Sequence, residues 1–181
     1  MRNMIVAGMV ILLLTMGCAA MMSLEEREKT YGKETSVITE SYASKQLKPG
    51  DAWKVYLKAS DPDGDMGSIV ATVDLVGSGT HRASFTRIKD GNRKELSGYV
   101  SLNTWNPSGE AWLNNLTLTL TVQIKDRAGH LSKAVTFPLE FNSRYVQEPP
   151  PPGVFPEQNL GPIMITLRSF HDDQGSGEGF Y

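Results

Sequence analysis

From Ser36 onward, apolar and polar residues alternate with a period of two, the mark of strands with one face buried. In WKVYLKA, Trp53, Val55, Leu57 and Ala59 share one face, and Lys54, Tyr56 and Lys58 share the other. In LTLTLTVQIKD, Leu116, Leu118, Leu120, Val122 and Ile124 oppose Thr117, Thr119, Thr121 and Gln123. In AVTFPLEF, Val135, Phe137, Leu139 and Phe141 alternate with Thr136, Pro138 and Glu140. Pro138 has no N–H to give to a ladder, so it places that strand at an edge or a bulge. No stretch of comparable length in this body carries helical spacing.

Gly- or Pro-bearing breaks divide the rest: KPGD at 48–51, DPDGD at 61–65, GSGT at 77–80, KDGN at 89–92, NPSGE at 106–110 and DRAGH at 126–130. Between them the pattern predicts strands near 36–44, 52–60, 68–76, 81–88, 95–103, 115–125 and 132–141. Seven short strands at this spacing predict an all-β fold, a seven-strand antiparallel sandwich of the immunoglobulin type spanning residues 36–142. A closed barrel is the alternative, and Pro138 disfavours it.

The pattern before Ser36 is different. Arg2, an apolar run from Met4 to Leu14 and the small residue Gly17 read as a secretory signal over residues 1–17. The chain's only cysteine, Cys18, follows directly, so an internal disulfide and a Cys-rich zinc site are excluded. Thr15-Met16-Gly17-Cys18 resembles the lipobox of bacterial lipoproteins. Gly17 and Cys18 fit that pattern, whereas Thr15 and Met16 stand where the family usually has Leu and then Ala or Ser. The resemblance implies a diacylglyceryl group on the Cys18 sulfur, cleavage before it and acylation of the new N-terminus. It also implies the outer membrane, because Ala19 replaces the Asp that retains many such proteins at the inner one. Two or three acyl chains suit a permanent tether, since each buried methylene contributes about 0.8 kcal/mol and one chain binds only marginally. Two other readings stand beside this one. Cys18 as a buried small hydrophobe is the first. The second is an uncleaved anchor, because Met4 to Met22 carries no charge over a length close to a membrane span.

Residues 18–35 read as a flexible tether, loosely ordered, with one helical turn near Ser23 to Glu28. Ser23 would cap that turn and Glu26 would close a capping box.

ASDPDGD after the second strand and DRAGHLS between the last two resemble bacterial Ig-like and cadherin-like modules of secreted proteins. Many of those carry Asp-x-Ala-Gly-Asn in the final hairpin, and His130 replaces the Asn here. The cysteine pair and third-strand tryptophan of antibody domains are absent, so no antigen-receptor function transfers. In such a sandwich the second, fourth and sixth connections leave at one pole. That gathers Asp61, Asp63 and Asp65 with Asp126, and Asp90 beside them. Clustered carboxylates repel unless a cation or hydrogen-bond donors neutralise them, and hard oxygen ligands suit Ca²⁺. This is not an EF-hand, because Thr72 occupies the twelfth position. The competing reading is structural: Asp61 and Asp63 make Asx turns and Gly64 supplies a positive φ.

Charge and chemistry narrow the function further. Net charge is −2, with acidic and basic residues mixed along the chain, so no basic stripe marks a nucleic-acid partner. His81, His130 and His171 fall in a strand start, a turn and the tail, with no metal-pair spacing and no Gly-x-Ser-x-Gly elbow. Catalysis is not expected. Trp105 and Trp112 flank NPSGEA at the opposite pole, where exposed rings would stack on sugars and buried ones would close the core.

Residues 143–181 form a proline-rich extension. EPPPPGVFPEQNLGP is stiff in polyproline form. IMITLRSF then predicts a strand over 162–168 that pairs with its own sheet or with a partner's edge. The sequence as a whole predicts a non-enzymatic, lipid-anchored module of the bacterial envelope, binding a protein or polysaccharide through loops or a sheet edge. A carbohydrate-binding module using Trp105 and Trp112 is the alternative.

Overall fold

A computed structural model describes residues 22–77, 79–105 and 111–167. Cys18, the signal segment and His171 lie outside those residues. The first described element is the helix α1 (Leu24–Tyr31). Ser23 Oγ accepts from the Glu26 N–H at 3.2 Å, and the Glu26 carboxylate accepts from the Ser23 N–H at 2.8 Å. This is the capping box read from the sequence. Over the described part of the segment read as a tether, α1 and the residues after it make hydrogen bonds to the sandwich, set out below.

The strands follow as β1 (Val37–Ala43), β2 (Gln46–Leu47), β3 (Ala52–Ser60), β4 (Met66–Leu75), β5 (Gly79–Thr80), β6 (Ser84–Arg87), β7 (Glu95–Asn103), β8 (Thr117–Asp126), β9 (Val135–Phe141) and β10 (Asn159–Ile163). A front sheet has the order β1-β3-β7-β10. The back sheet runs β2-β9-β8-β4-β5, with β6 also paired to β4. The chain is an all-β, immunoglobulin-like sandwich whose sheets stay open. Every predicted strand is present within a few residues of its expected bounds.

The alternation explains the core. Trp53, Val55 and Leu57 of β3 and Leu96, Val100 and Leu102 of β7 face Ile69, Val73 and Leu75 of β4. Leu118, Leu120, Val122 and Ile124 of β8 and Phe137, Leu139 and Phe141 of β9 complete the layer, all of them buried. Each such side chain contributes about 1.5–3 kcal/mol through burial. Trp53 is fully enclosed, and its indole N–H donates to the Ser44 carbonyl at 2.9 Å. Pro138 lies on β9, which β2 covers only at Glu140 and Phe141, so the missing N–H falls on an open edge.

Three strands lie outside the seven predicted for the sandwich body, and two of them, β2 and the predicted C-terminal strand, pair in parallel. β2 is the continuation of β1 after the chain switches sheets at Ser44, and it runs parallel to β9. Strand β10 runs parallel to β7, with Asn159 opposite Tyr99 and Ile163 opposite Leu102. Parallel pairing needs a crossover connection, and the proline-rich segment supplies it by crossing the outer face of the front sheet. The return strand thus starts at 159 rather than 162. Beyond it, Ile165 and Leu167 stay buried while Met164 and Thr166 are exposed. Position 168 lies outside the described residues. Up to residue 167 the expected extension is a working part of the sandwich.

Candidate functional site

Three connections meet at one pole, as the strand order requires. The Asp61 N–H donates to the Lys94 carbonyl at 2.9 Å, and the Arg127 N–H donates to the Asp65 carbonyl at 3.0 Å. Asp61, Asp65 and Asp126 are all buried there, at 1%, 5% and 4% exposure. All of their oxygens except Asp65 Oδ1 face partners from the protein. Asp61 Oδ1 accepts from the Asp63 and Gly64 N–H groups, both at 2.9 Å, and its Oδ2 accepts from the Ser36 hydroxyl at 2.6 Å. Asp65 Oδ2 accepts from the N–H groups of Arg127 and Ala128. Asp126 Oδ1 accepts from the Gly129 and His130 N–H groups at 2.6 and 2.8 Å. Each carboxylate therefore closes or ties a loop, the Asx chemistry these turns favour.

Asp63 and Asp90 sit apart from that core. The exposed Asp63 turns toward the N-terminal segment, where its Oδ2 accepts from the Glu34 N–H at 2.8 Å. Gly32 lies against it at φ 119°, where a Cβ would overlap the Asp63 carboxyl group. Asp90 pairs with Arg93 at 2.7 Å on the surface. Among the described residues, no three His, Cys, Asp or Glu side chains are arranged as a metal site. Of the six carboxylate oxygens of Asp61, Asp65 and Asp126, Asp65 Oδ1 alone is buried without a partner among the described residues. Burial, and then the charges of Asp126 and Asp61, push the Asp65 carboxyl above the usual carboxylate range, against the pull of its two backbone amides.

Helix α1 completes this pole. His130 places Nδ1 2.9 Å from Asp126 Oδ2 and Nε2 3.1 Å from Glu28 Oε1. A protonated ring donates to both carboxylates; a neutral ring donates to only one. Glu28, first, and Asp126 raise the His130 pKa, while burial opposes them. The Arg127 guanidinium lies 4.1 Å from the centre of the Tyr31 ring and donates to its hydroxyl at 3.1 Å. The sequence reads position 130 as a turn histidine in place of Asn, with no metal-pair spacing. Its link to Glu28 was not legible, since nothing local joins residues so far apart in the chain.

At the opposite pole the two tryptophans differ. Trp105 is 57% exposed, and its backbone N–H donates to Asn103 Oδ1 at 3.1 Å. It borders a cleft of about 320 Å³ that Ser101, Asn103, Met164 and Thr166 also line. Trp112 packs against the core with its indole N–H buried and unpartnered. Only Trp105 presents a ring to solvent, so the pair does not offer two open faces.

A third feature escaped the sequence reading. On the outer face of the front sheet, Tyr56 is only 4% exposed. Its ring lies 5.6 Å from that of Phe155 and 5.5 Å from that of Tyr99, and its hydroxyl donates to Glu157 at 2.6 Å. Burial, and then Glu157, hold the Tyr56 hydroxyl far above its usual pKa. Tyr42, Phe155 and the prolines at 149–152 border a groove of about 590 Å³ beside it.

No protein-family model matches the chain. No curated protein matches it either. Among solved structures it is similar to the PKD domain of an M14-like peptidase from Thermoplasmatales archaeon SCGC AB-540-F20, at 18% identity and a TM-score of 0.35. That likeness covers 60% of this chain and 96% of the other.

Proposed function

We propose that the protein is a lipid-anchored, non-catalytic interaction module of a bacterial cell envelope, facing the periplasm or the surface from the outer membrane. The observation that carries this reading is an order of segments. An apolar run ends at Gly17-Cys18, and an organised body begins at the Ser23 capping box. A non-enzymatic role is supported by the histidines: both ring nitrogens of His130 face carboxylates, and His81 Nε2 is buried without a partner. Neither ring is placed to activate a nucleophile. Partner contact through loops is supported by the edges, since β9 carries Pro138 and the β1 register breaks between Ile38 and Glu40.

The test is metabolic labelling with an alkyne fatty acid, followed by fractionation and the mass of the N-terminal peptide. The expected result is a peptide starting at an acylated Cys18 in the membrane fraction, with Cys18→Ser losing both label and membrane. A soluble chain starting at Met1 with a free thiol overturns the reading.

A carbohydrate-binding role is favoured by one observation, the exposed Trp105 ring beside a cleft whose mixed lining includes Ser101, Asn103 and Thr166. Aromatic faces stack on sugar rings while neighbouring polar groups bind their hydroxyls. Peptidoglycan fragments should shift Trp emission, and Trp105→Ala should abolish the shift. Binding retained in Trp105→Ala removes the sugar reading.

A further inference from the structure

The lipid-anchor reading has a geometric consequence when it is combined with the way α1 is fastened. Helix α1 buries none of its residues, so no apolar face holds it to the sandwich. It is held instead by Glu28 on His130, Tyr31 on Arg127, Glu34 on Asp63 and, just beyond, Ser36 on Asp61. These contacts fix where the N-terminal segment leaves the body: at the acidic pole, with Ser23 as the first capped residue.

From Cys18 to Ser23 is a leash of five residues, which spans at most about 18 Å when fully extended. The sandwich is longer than that. The nine residues of β3 alone cover about 30 Å from pole to pole. An acyl group in the bilayer therefore cannot reach past the body to let the Trp105 pole face the membrane.

The acidic pole also has the surface for contact. Met22, Leu24 and Leu131 are exposed at 45%, 49% and 48%. Met22 precedes the cap and lacks the apolar partner that a hydrophobic staple needs, because Arg27 occupies that position. Leu24 lies one turn before Glu28 on the same helix face, and Glu28 reaches His130, next to Leu131. The three apolar side chains thus rim one end of the molecule.

We infer that the domain stands on its acidic pole against the bilayer, with Met22, Leu24 and Leu131 meeting the lipid headgroup region and the Trp105 pole turned away from it. The inference rests on the lipid anchor, so its test must read the two separately.

The acylated, ¹⁵N-labelled protein is placed in nanodiscs of phosphatidylethanolamine and phosphatidylglycerol containing a gadolinium-chelated headgroup lipid. Its intact mass reports the acyl chains on Cys18. Amide signals of residues 22–31 and 127–134 are expected to be lost, while those of 48–51 and 111–117 survive. The triple variant Met22→Glu, Leu24→Glu, Leu131→Glu, whose positions are exposed, keeps its leash and should show a weaker, not abolished, loss at the acidic pole, with its spectrum otherwise unchanged. Equal loss at both poles in an acylated protein overturns the inference and leaves the anchor standing. So does loss at the acidic pole that the triple variant does not relieve. An unmodified Cys18 removes the anchor and this inference with it.

Discussion

The two sheets present outer faces that look alike in the sequence and differ in the structure. On the back sheet, Thr72 of β4, Thr121 of β8 and Thr136 of β9 lie side by side across three strands and face solvent or stand half-buried. On the front sheet the equivalent outward positions carry Tyr42, Tyr56 and Tyr99, and the segment after β9 crosses over them. Lys54 pairs with Glu157 of that strap at 2.6 Å and lies 4.6 Å from the centre of the Tyr99 ring. A period of two marks a strand's faces, but it does not say whether the second face is bare. Threonine suits a solvated pleated surface, whereas a row of tyrosines has apolar area to cover and hydroxyls to satisfy. The difference between the faces lies in what each asks of a distant segment.

Removing the strap should have the largest effect. A chain ending at Asn142 loses Leu160, Ile163, Ile165 and Leu167, all buried in the core. Truncating one such residue to alanine costs about 2–5 kcal/mol, so losing all four exceeds most of the 5–15 kcal/mol typical of a domain. The expected outcome is no cooperative thermal transition by near-UV circular dichroism. A sharp melt close to that of the full chain would show that the covered face needs no cover.

Next come single changes at the contact. Gly98 has φ 153°, and a Cβ there would overlap the Gln158 carbonyl oxygen, which itself accepts from the Tyr99 N–H at 2.8 Å. Gly98→Ala should force β10 off β7 and cost about 1–3 kcal/mol through overpacking. Tyr56→Ala should cost about 3 kcal/mol through the lost ring. Thr121→Ala on the bare face should stay within about 0.5 kcal/mol. Urea denaturation compares the three, and equal losses at Tyr56 and Thr121 would erase the distinction between the faces.

How far these features can be read from the chain follows from how local their causes are. The alternation in WKVYLKA and LTLTLTVQIKD gave the strands and the inward faces, because burial on one side acts on every second residue. Ser23 and Glu26 announced the cap for the same reason, as both partners lie within one turn. DPDGD and DRAGH located the buried carboxylates, since strand order alone brings those loops to one pole. The covering of Tyr56 by Phe155 and the clasp of His130 by Glu28 join residues about a hundred positions apart. Nothing in either stretch specifies its partner. For β10, the alternation of Ile163, Ile165 and Leu167 predicted burial, but not a parallel partner, which depends on where the prolines carry the chain.

A smaller effect should appear at the pole that α1 covers. Glu28 and Asp126 raise the His130 pKa above its ordinary value of 6.5. A raised folded-state pKa means that the clasp's contribution is complete below pH 6.5 and is lost as pH rises through the folded value. The neighbouring Asp65, also raised from its ordinary 3.8, acts in the same sense at lower pH. Arg27 lies over Gly129, and the Arg127 contact with Tyr31 holds α1 independently of His130. Amide exchange in Leu24–Tyr31 should therefore be faster at pH 8.5 than at pH 6, after correction for intrinsic rates, with the core unchanged. His130→Gln should remove the difference. Protection independent of pH in the wild-type helix would mean that the Arg127–Tyr31 contact suffices alone.

The smallest shift expected is with calcium, and it separates the two readings of the acidic pole. Protein groups already occupy both oxygens of Asp61 and Asp126 and one oxygen of Asp65, so a cation bound by all three must displace those donors and open three loops. Extracellular calcium modules bind at about 0.1–1 mM, so tenfold excess over such a Kd would stabilise by about 1.4 kcal/mol and raise Tm by several degrees. A melt at that excess should show no rise. The variant Ser36→Ala sharpens the result, because it frees Asp61 Oδ2 of its hydroxyl donor. If calcium then raises Tm in the variant alone, the hydroxyl is what stands in for the ion. A rise in the unmodified protein would show that the three carboxylates turn from their loops to a cation, and that the pole is bistable where the front-sheet strap is not.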